Sequence, residues 1–495
     1  MKSIATFTLT VASIVGMTLV AFAQQTNLPQ LGKDPIADVI KAMTLEEKVS
    51  ILVGPGLYVP GNPFPGMPAN PTPAQKKVVG AAGAINGIPR LGIPSVIMCD
   101  GPAGVHAFNI GTSRIYYATA WPVGTLLAST WDTAVVKKVG AGFGKEAKEY
   151  GIDIVLGPGM NIHRNPLGGR NFEYYSEDPV VTGNIAAAMV NGVQSVGVGV
   201  SAKHFFANNN ETNRMTANII ASERALREIY LKGWEIMVKK SNPWTIMTSY
   251  NLVNGPYTSQ NPELVSTILR NEWNFKGYVV TDWGGGNNAV EQMKARNNLI
   301  MPGSPRQVGA IIDAVKSGQL DEKILDQNVA DMLNITLLTA SFKNYKYSDS
   351  PNLKAGGKLS REAATEGMVL LKNNDNTLPI QPLSSVALFG MNGYDLITGG
   401  GGSGEVNKMY VVSLNEGLFN AGFSIHPELH VAYKNYLIEE NIKHPKKSMF
   451  EEFMNPTPPI EEYKLSDEQI AGAVASSDRA IISIGRFSGE GADRK

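Results

Sequence analysis

Residues 277–286 read GYVVTDWGGG. A short apolar run, Tyr278 to Val280, meets a Thr-Asp-Trp cluster and then three glycines. Such a run fits a buried parallel strand whose C-terminal end hands polar side chains to a turn. The same grammar recurs upstream in IPSVIMCDGPAG (93–104), IDIVLGPGMN (152–161), VGVSAKHFFANN (198–209) and PWTIMTSYN (243–251). Between two of these runs, ERALREIYLKGWEIMVKK (223–240) spaces its apolar residues three and four apart, as an amphipathic helix does. Strand and helix alternating over roughly 300 residues predict either a TIM-type barrel or a doubly wound sheet. Periodicity alone leaves both open.

Further along, ILDQNVADMLNITLLTASF (324–342) reads as a helix and KNYKYSDSPNLKAGG (343–357) as a polar loop or linker. A second unit then repeats the grammar, with strands at SSVALFG (384–390) and RAIISIG (479–485) and a helix at VSLNEGLFNAG (412–422). It holds few strands for a sheet that needs covering on both faces, and reads as incomplete.

The first residues suggest export. Lys2 precedes a largely apolar stretch that closes on Ala21-Phe22-Ala23 before the polar QQTN, the pattern of a secretory leader cleaved after Ala23. The expected destination is periplasmic or extracellular, with no membrane association after cleavage. The one cysteine, Cys99, reads as a small core residue, so stability must come from packing rather than disulfides. Basic and acidic residues balance at 44 each, which argues against a nucleic-acid partner and suits a neutral substrate. Nothing in the sequence specifies an oligomeric state.

In a parallel α/β barrel the chemistry sits where strands meet their following loops. Those positions hold Asp100, the loop from Arg164 to Arg170, Lys203 with His204, Tyr250, and Asp282 with Trp283. Acid, guanidinium, amine, imidazole, phenol and indole on one rim make a polar pocket with an aromatic wall, suited to a sugar. Cleaving a glycoside at neutral pH takes two carboxyl groups in different protonation states. Asp282 is the first candidate, with capping of a following helix as its structural alternative. Asp100, Glu173, Glu177, Asp178 and Glu211 compete for the second role. Arg164 and Glu173 read as struts of their loop. His204 has no companions at zinc spacing, so neither a metal nor another cofactor is expected.

HRNPLGGRNFEYYSEDP (163–179), KHFFANNNETNR (203–214) and VVTDWGGG (279–286) resemble the signature segments of glycoside hydrolase family 3, in its bacterial beta-glucosidase branch. The resemblance implies a TIM-type (β/α)8-like barrel over 24–342 after a leader at 1–23. A linker at 343–370 and an α/β sandwich domain at 371–495, incomplete at its C-terminus, would follow. It implies a retaining, exo-acting enzyme that removes a terminal beta-linked sugar, commonly glucose, from an oligosaccharide or glycoside. By motif, the nucleophile would be Asp282. Asp100, Arg170, Lys203, His204, Arg214 and Tyr250 would line the sugar subsite, with Trp283 as platform. The acid/base would come from the second domain, as Glu490 in GEGADR (489–494). Ser403 in GGGGSGEV (399–406) matches a loop that brings a serine to the same subsite, although a glycine-rich turn needs no ligand to explain it.

Two features depart from the family pattern. His106 stands where relatives carry Arg in D-G-P-x-G-x-R, which puts the preferred sugar in question. The chain also stops five residues after Glu490, which reads as a truncation and predicts reduced activity. The alternatives are a beta-xylosidase, another exo-glycosidase or phosphorylase of the family, or a carbohydrate-binding protein without turnover. KHFFANNNE lacks the K-H-F-P-G-H-G pattern of the N-acetylhexosaminidase branch.

Overall fold

The computed structural model describes residues 28–59, 68, 70–110, 113–381, 383–445, 447 and 460–495. The expected leader lies outside the described residues. Strands in chain order are β1 (Gly83–Ile85), β2 (Val96–Asp100), β3 (Ile154–Leu156), β4 (Gly199–Phe205), β5 (Asn218–Ile219), β6 (Thr245–Thr248), β7 (Leu252–Val253), β8 (Tyr278–Val280), β9 (Ser385–Phe389), β10 (Ser424–Ile425) and β11 (Arg479–Ile482).

The first domain is built on a curled six-stranded sheet in the order β1-β2-β3-β4-β6-β8. All its neighbours pair in parallel except β1, which runs antiparallel to β2. Beyond β8 the curl continues through parallel bridges from Val280 to Leu299 and from Ile300 to Val53. The result is barrel-like, with short bridging segments where an ideal barrel has full strands. β5 and β7 form a separate two-stranded ribbon on the rim.

Alternation along the strands sorts their side chains into two cores. Ile97, Cys99, Val155, Val200, Ala202, Ile246 and Val279 pack outward with helices α1 (Thr133–Glu149), α2 (Pro179–Gln194) and α3 (Lys232–Ser241). Met98, Ile154, Leu156, Met247, Tyr278 and Val280 join the second cluster, which also takes in α4 (Glu322–Thr336). Asp100 follows Met98, and Asp282 follows Val280, by one strand period. Lys203 is likewise opposite in phase to Val200 and Ala202. The pattern that builds the core thus aims three ionisable groups into the barrel mouth.

The stretch expected as a linker, 343–370, is partly helical. Its second half is helix α5 (Leu353–Gly367), capped by Asn352, whose side chain accepts from the Ala355 amide. The helix lies on the first domain: Ser360 Oγ donates to the Ala120 carbonyl at 3.0 Å. Its polar composition hid this, because the buried edge is made of Gly356, Ala363 and Gly367 rather than large apolar residues. A Cβ on Gly356 would lie 2.2 Å from both Glu146 Oε1 and Thr119 Oγ1, so the helix needs glycine there to approach.

The second domain holds the parallel sheet β10-β9-β11 with α6 (Pro427–Lys443) and α7 (Asp467–Ser476). Leu388, Tyr394, Leu429, Tyr433, Leu437 and Ala473 form its small core. β11 pairs with β9 alone among the described residues, and Ile482 and Ile484 are 73 % and 85 % exposed. Among the described residues no helix is long and apolar enough to cross a membrane.

Candidate active site

The structure brings the ten residues singled out from sequence into one cluster. Asp100 ends β2 with Lys203 Nζ 3.6 Å from its Oδ1. Lys203 is 2 % exposed and also donates to Ser403 Oγ at 3.3 Å. Ser403 Oγ accepts from Arg170 Nη2 at 3.1 Å as well, so the second domain's serine meets two cations of the barrel. Arg170 pairs with Glu173, which is therefore a strut of its loop. Arg164 donates to the Tyr230 hydroxyl and takes no part in the cluster.

Asp282 Oδ1 accepts from the Trp283 amide at 2.7 Å, and Asp282 Oδ2 lies 3.6 Å from His204 Nε2. Helix capping is not its role, since the next helix begins at Ala289 with Asn288 as its cap. The Trp283 indole N–H donates to the Ala82 carbonyl at 2.9 Å, fixing the ring, while the Tyr250 hydroxyl donates to the Trp283 carbonyl at 3.2 Å. Arg214 lies over the Tyr250 ring at 4.6 Å.

Glu490 comes from the other domain. Its Oε1 lies 2.8 Å from Arg214 Nη1 and 3.4 Å from Arg170 Nη1. Its Oε2 accepts from the Ser403 amide at 3.0 Å. The carboxylate is therefore seated between barrel guanidinium groups and a backbone N–H of its own domain.

Electrostatics separate the acids. Burial pushes Asp100 up to about 7, against Lys203 and with the help of Glu490 and Asp282. Burial also raises Asp282, joined by the negative charge of Glu490, while Arg170, Lys203 and Arg214 pull the other way. For Glu490 burial is outweighed: Arg170, Arg214, Lys203 and the Ser403 amide hold it well below the usual carboxylate range. Burial and the three cations keep His204 neutral. His204 Nδ1 lies 3.1 Å from the Tyr174 hydroxyl, which accepts from Asn208 at 3.4 Å, and 3.4 Å from Asn161 Oδ1. The other ring nitrogen, Nε2, faces Asp282.

His106 is buried, and burial lowers its pKa to about 4, with Lys408 and Lys203 adding to the effect against the Ser403 backbone. Its Nδ1 has no hydrogen-bond partner among the described residues. At the position where the family resemblance implies an arginine, this chain places a neutral ring. Among the described residues no three His, Cys, Asp or Glu side chains are grouped to hold a metal ion.

Sequence reasoning missed the residues that hold the cluster. Asn161 Oδ1 accepts from the His204 amide at 2.9 Å, and its Nδ2 donates to the His204 carbonyl at 2.9 Å. Glu211, weighed only as a catalytic carboxyl, instead pairs with Arg214 at 2.7 Å. Asp493 was given no role, although it is the Asp of the same GEGADR stretch as Glu490.

A barrel whose strand ends converge with a carboxylate from a second α/β domain defines the class. The profile described as glycosyl hydrolase family 3 N terminal domain matches residues 71–335, and the one described as the family 3 C-terminal domain matches residues 368–495. The chain belongs to glycoside hydrolase family 3.

Among individual relatives it is 36 % identical over 469 residues to the thermostable beta-glucosidase B of Acetivibrio thermocellus, covering 93 % of this chain and 56 % of that one. It is 39 % identical over 350 residues to an exo-alpha-(1->6)-L-arabinopyranosidase of Bifidobacterium longum, covering 69 % and 42 %. The solved structure of beta-glucosidase 3B from Thermotoga neapolitana in complex with alpha-D-glucose matches with a TM-score of 0.86 at 44 % identity, over 93 % of this chain and 64 % of that one. The chain thus spans about half the length of the curated relatives it matches.

Proposed function

We propose that this chain carries the site of a retaining exo-β-glucosidase that releases terminal non-reducing β-D-glucosyl residues through a covalent glycosyl-enzyme intermediate. The observation that carries the reading is the meeting of Asp282 and Glu490, from different domains, in one cluster of donors and acceptors. Asp282 attacks the anomeric carbon while Glu490 gives its proton to the leaving oxygen; Glu490 then activates the water that frees the sugar. Arg170, Lys203 and Arg214 donate to hydroxyl oxygens and Asp100 accepts from adjacent hydroxyls, which matches a neutral polyol. Trp283 supports the sugar's apolar face.

Among the protein's own groups, Glu490 is the ionised acid and Asp282 the raised one, the reverse of what the first step needs. Sugar hydroxyls that engage Arg170, Arg214 and Lys203 draw these donors from Glu490 and raise its affinity for a proton. Substrate thus helps to set the protonation state in which it reacts.

A second sugar is favoured by one observation. A relative of comparable identity is named an arabinopyranosidase, and the subsite here has neutral His106. A pentopyranose, such as xylose or arabinose, is therefore the competing substrate. Aryl β-glucoside, β-xyloside and α-L-arabinopyranoside, assayed with the unaltered chain and with Asp282→Asn, decide between them. Turnover of the glucoside that vanishes in the variant supports the reading. Faster release from either pentoside replaces glucose with that sugar, and sugar binding without turnover of any glycoside favours a carbohydrate-binding protein. The leader motif supports an exported enzyme.

A further inference from the structure

Glu490 sits at the tip of a tight turn whose two flanks are held by different domains. On one flank the Glu490 amide donates to the Gly401 carbonyl at 3.2 Å, and the Gly401 amide donates to the Ser488 carbonyl at 3.1 Å. An antiparallel bridge between Gly489 and Ala492 closes the turn, with Gly491 at a φ of 97°. The other flank belongs to Asp493. Its Oδ1 accepts from the amides of Gly169 at 3.0 Å and Glu211 at 3.0 Å, and its Oδ2 from the Thr212 amide at 2.9 Å and the Thr212 hydroxyl at 2.7 Å. These donors lie on two separate barrel loops, the one that carries Arg170 and the one that carries Arg214. Both arginines touch Glu490.

We propose that Asp493 is a positioning residue: it ties the Glu490 turn of the second domain to the two barrel loops whose arginines face that carboxylate. This rests on the reading of Glu490 as acid/base. The alternative, that Asp493 is a surface acid with incidental contacts, does not account for one carboxylate collecting three backbone amides from two loops. Two further contacts line up with it: Gly491 donates to Glu211 Oε2 at 2.9 Å, and the Arg494 amide to the Leu167 carbonyl at 2.8 Å. The backbone packs closely enough that a Cβ on Gly169 would lie 2.0 Å from the Ala492 carbonyl oxygen. Those amides, with the Thr212 hydroxyl, outweigh partial burial and keep Asp493 below the usual carboxylate range, so the tie is charged at neutral pH.

A positioning role makes a prediction that general destabilisation does not. If Glu490 is displaced, the loss concentrates on substrates whose leaving group needs a proton. For Asp493→Ala, kcat/KM on 4-methoxyphenyl β-glucoside should fall about 100-fold, whereas 2,4-dinitrophenyl β-glucoside, which leaves without acid help, should lose less than about 10-fold. Asp493→Asn keeps one carbonyl acceptor and should fall between. Equal losses on both substrates, or none, would overturn the proposal. Hydrogen exchange is read on the same proteins: protection of the Gly169, Glu211 and Thr212 amides should drop in Asp493→Ala. Unchanged exchange there would overturn it whether or not the chain turns over. If the unaltered chain releases neither phenol, the glycosidase reading falls, and exchange alone decides whether Asp493 holds the turn.

Discussion

Arg214 Nη1 lies 2.8 Å from Glu490 Oε1, so a cation of the barrel holds a carboxylate of the second domain. Opposite charge at this range lowers a carboxyl pKa by about 1–3 units. Arg214→Met removes that pull, and the Glu490 pKa must rise. The acid has to be protonated in the first step, and in the substrate-bound state, where its affinity for a proton is raised, the alkaline limb of the kcat profile marks the loss of that proton. That limb should move to higher pH, while KM rises because a sugar donor is lost. A limb that stays in place, measured on an aryl glucoside from pH 4 to about 9, would separate Arg214 from the acid.

Asp282→Asn should reduce turnover by on the order of ten-thousand-fold, because the attacking oxygen is lost while the subsite persists. Glucose binding, followed by calorimetry, should remain within about tenfold, since Asn keeps the size and one acceptor of Asp. In the unaltered chain, a 2-deoxy-2-fluoro glucoside should leave a sugar attached to Asp282, detectable by mass spectrometry of the peptide. Attachment elsewhere would reassign the nucleophile.

Gly169→Ala tests the interdomain approach sterically. The added Cβ has no room beside the carbonyl oxygens of Ala492 and Gly489, at 2.0 and 2.6 Å, so the turn must lift. Activity should fall about 100-fold, as displacement of a catalytic group by an ångström does. The melting temperature of the barrel should change little, because the clash lies at the rim and outside both barrel cores.

Gly356→Ala acts elsewhere. It forces α5 away from Glu146 and Thr119, and overpacking of this kind removes about 1–3 kcal/mol of stability. Urea denaturation should register the loss. The ratio of rates on the two aryl glucosides should be unchanged, since the clash falls on Glu146 and Thr119, neither of them among the ten site residues.

The strand ends were legible because a single residue period decides which side chains enter the barrel mouth. Asp100 and Asp282 could be placed from apolar neighbours two positions away, and Lys203 from its opposite phase to Val200 and Ala202. Glu490 was legible only through its motif, since nothing local indicates that residue 490 meets residue 214. Helix α5 was hidden by its glycines, which look like loop in sequence and serve as contact surface in space. Asp493 was hidden because its partners precede it by 281 to 324 positions and two of the three supply backbone alone.

That last property has a consequence for variation. A carboxylate that binds main-chain amides reads the course of a loop and is indifferent to most side chains along it. Loop residues other than Gly169, Glu211 and Thr212 can therefore change to suit a different sugar without releasing the turn, provided the loops keep their path. Sugar preference and domain attachment are recorded in different parts of the same loops, one in side chains and the other in backbone.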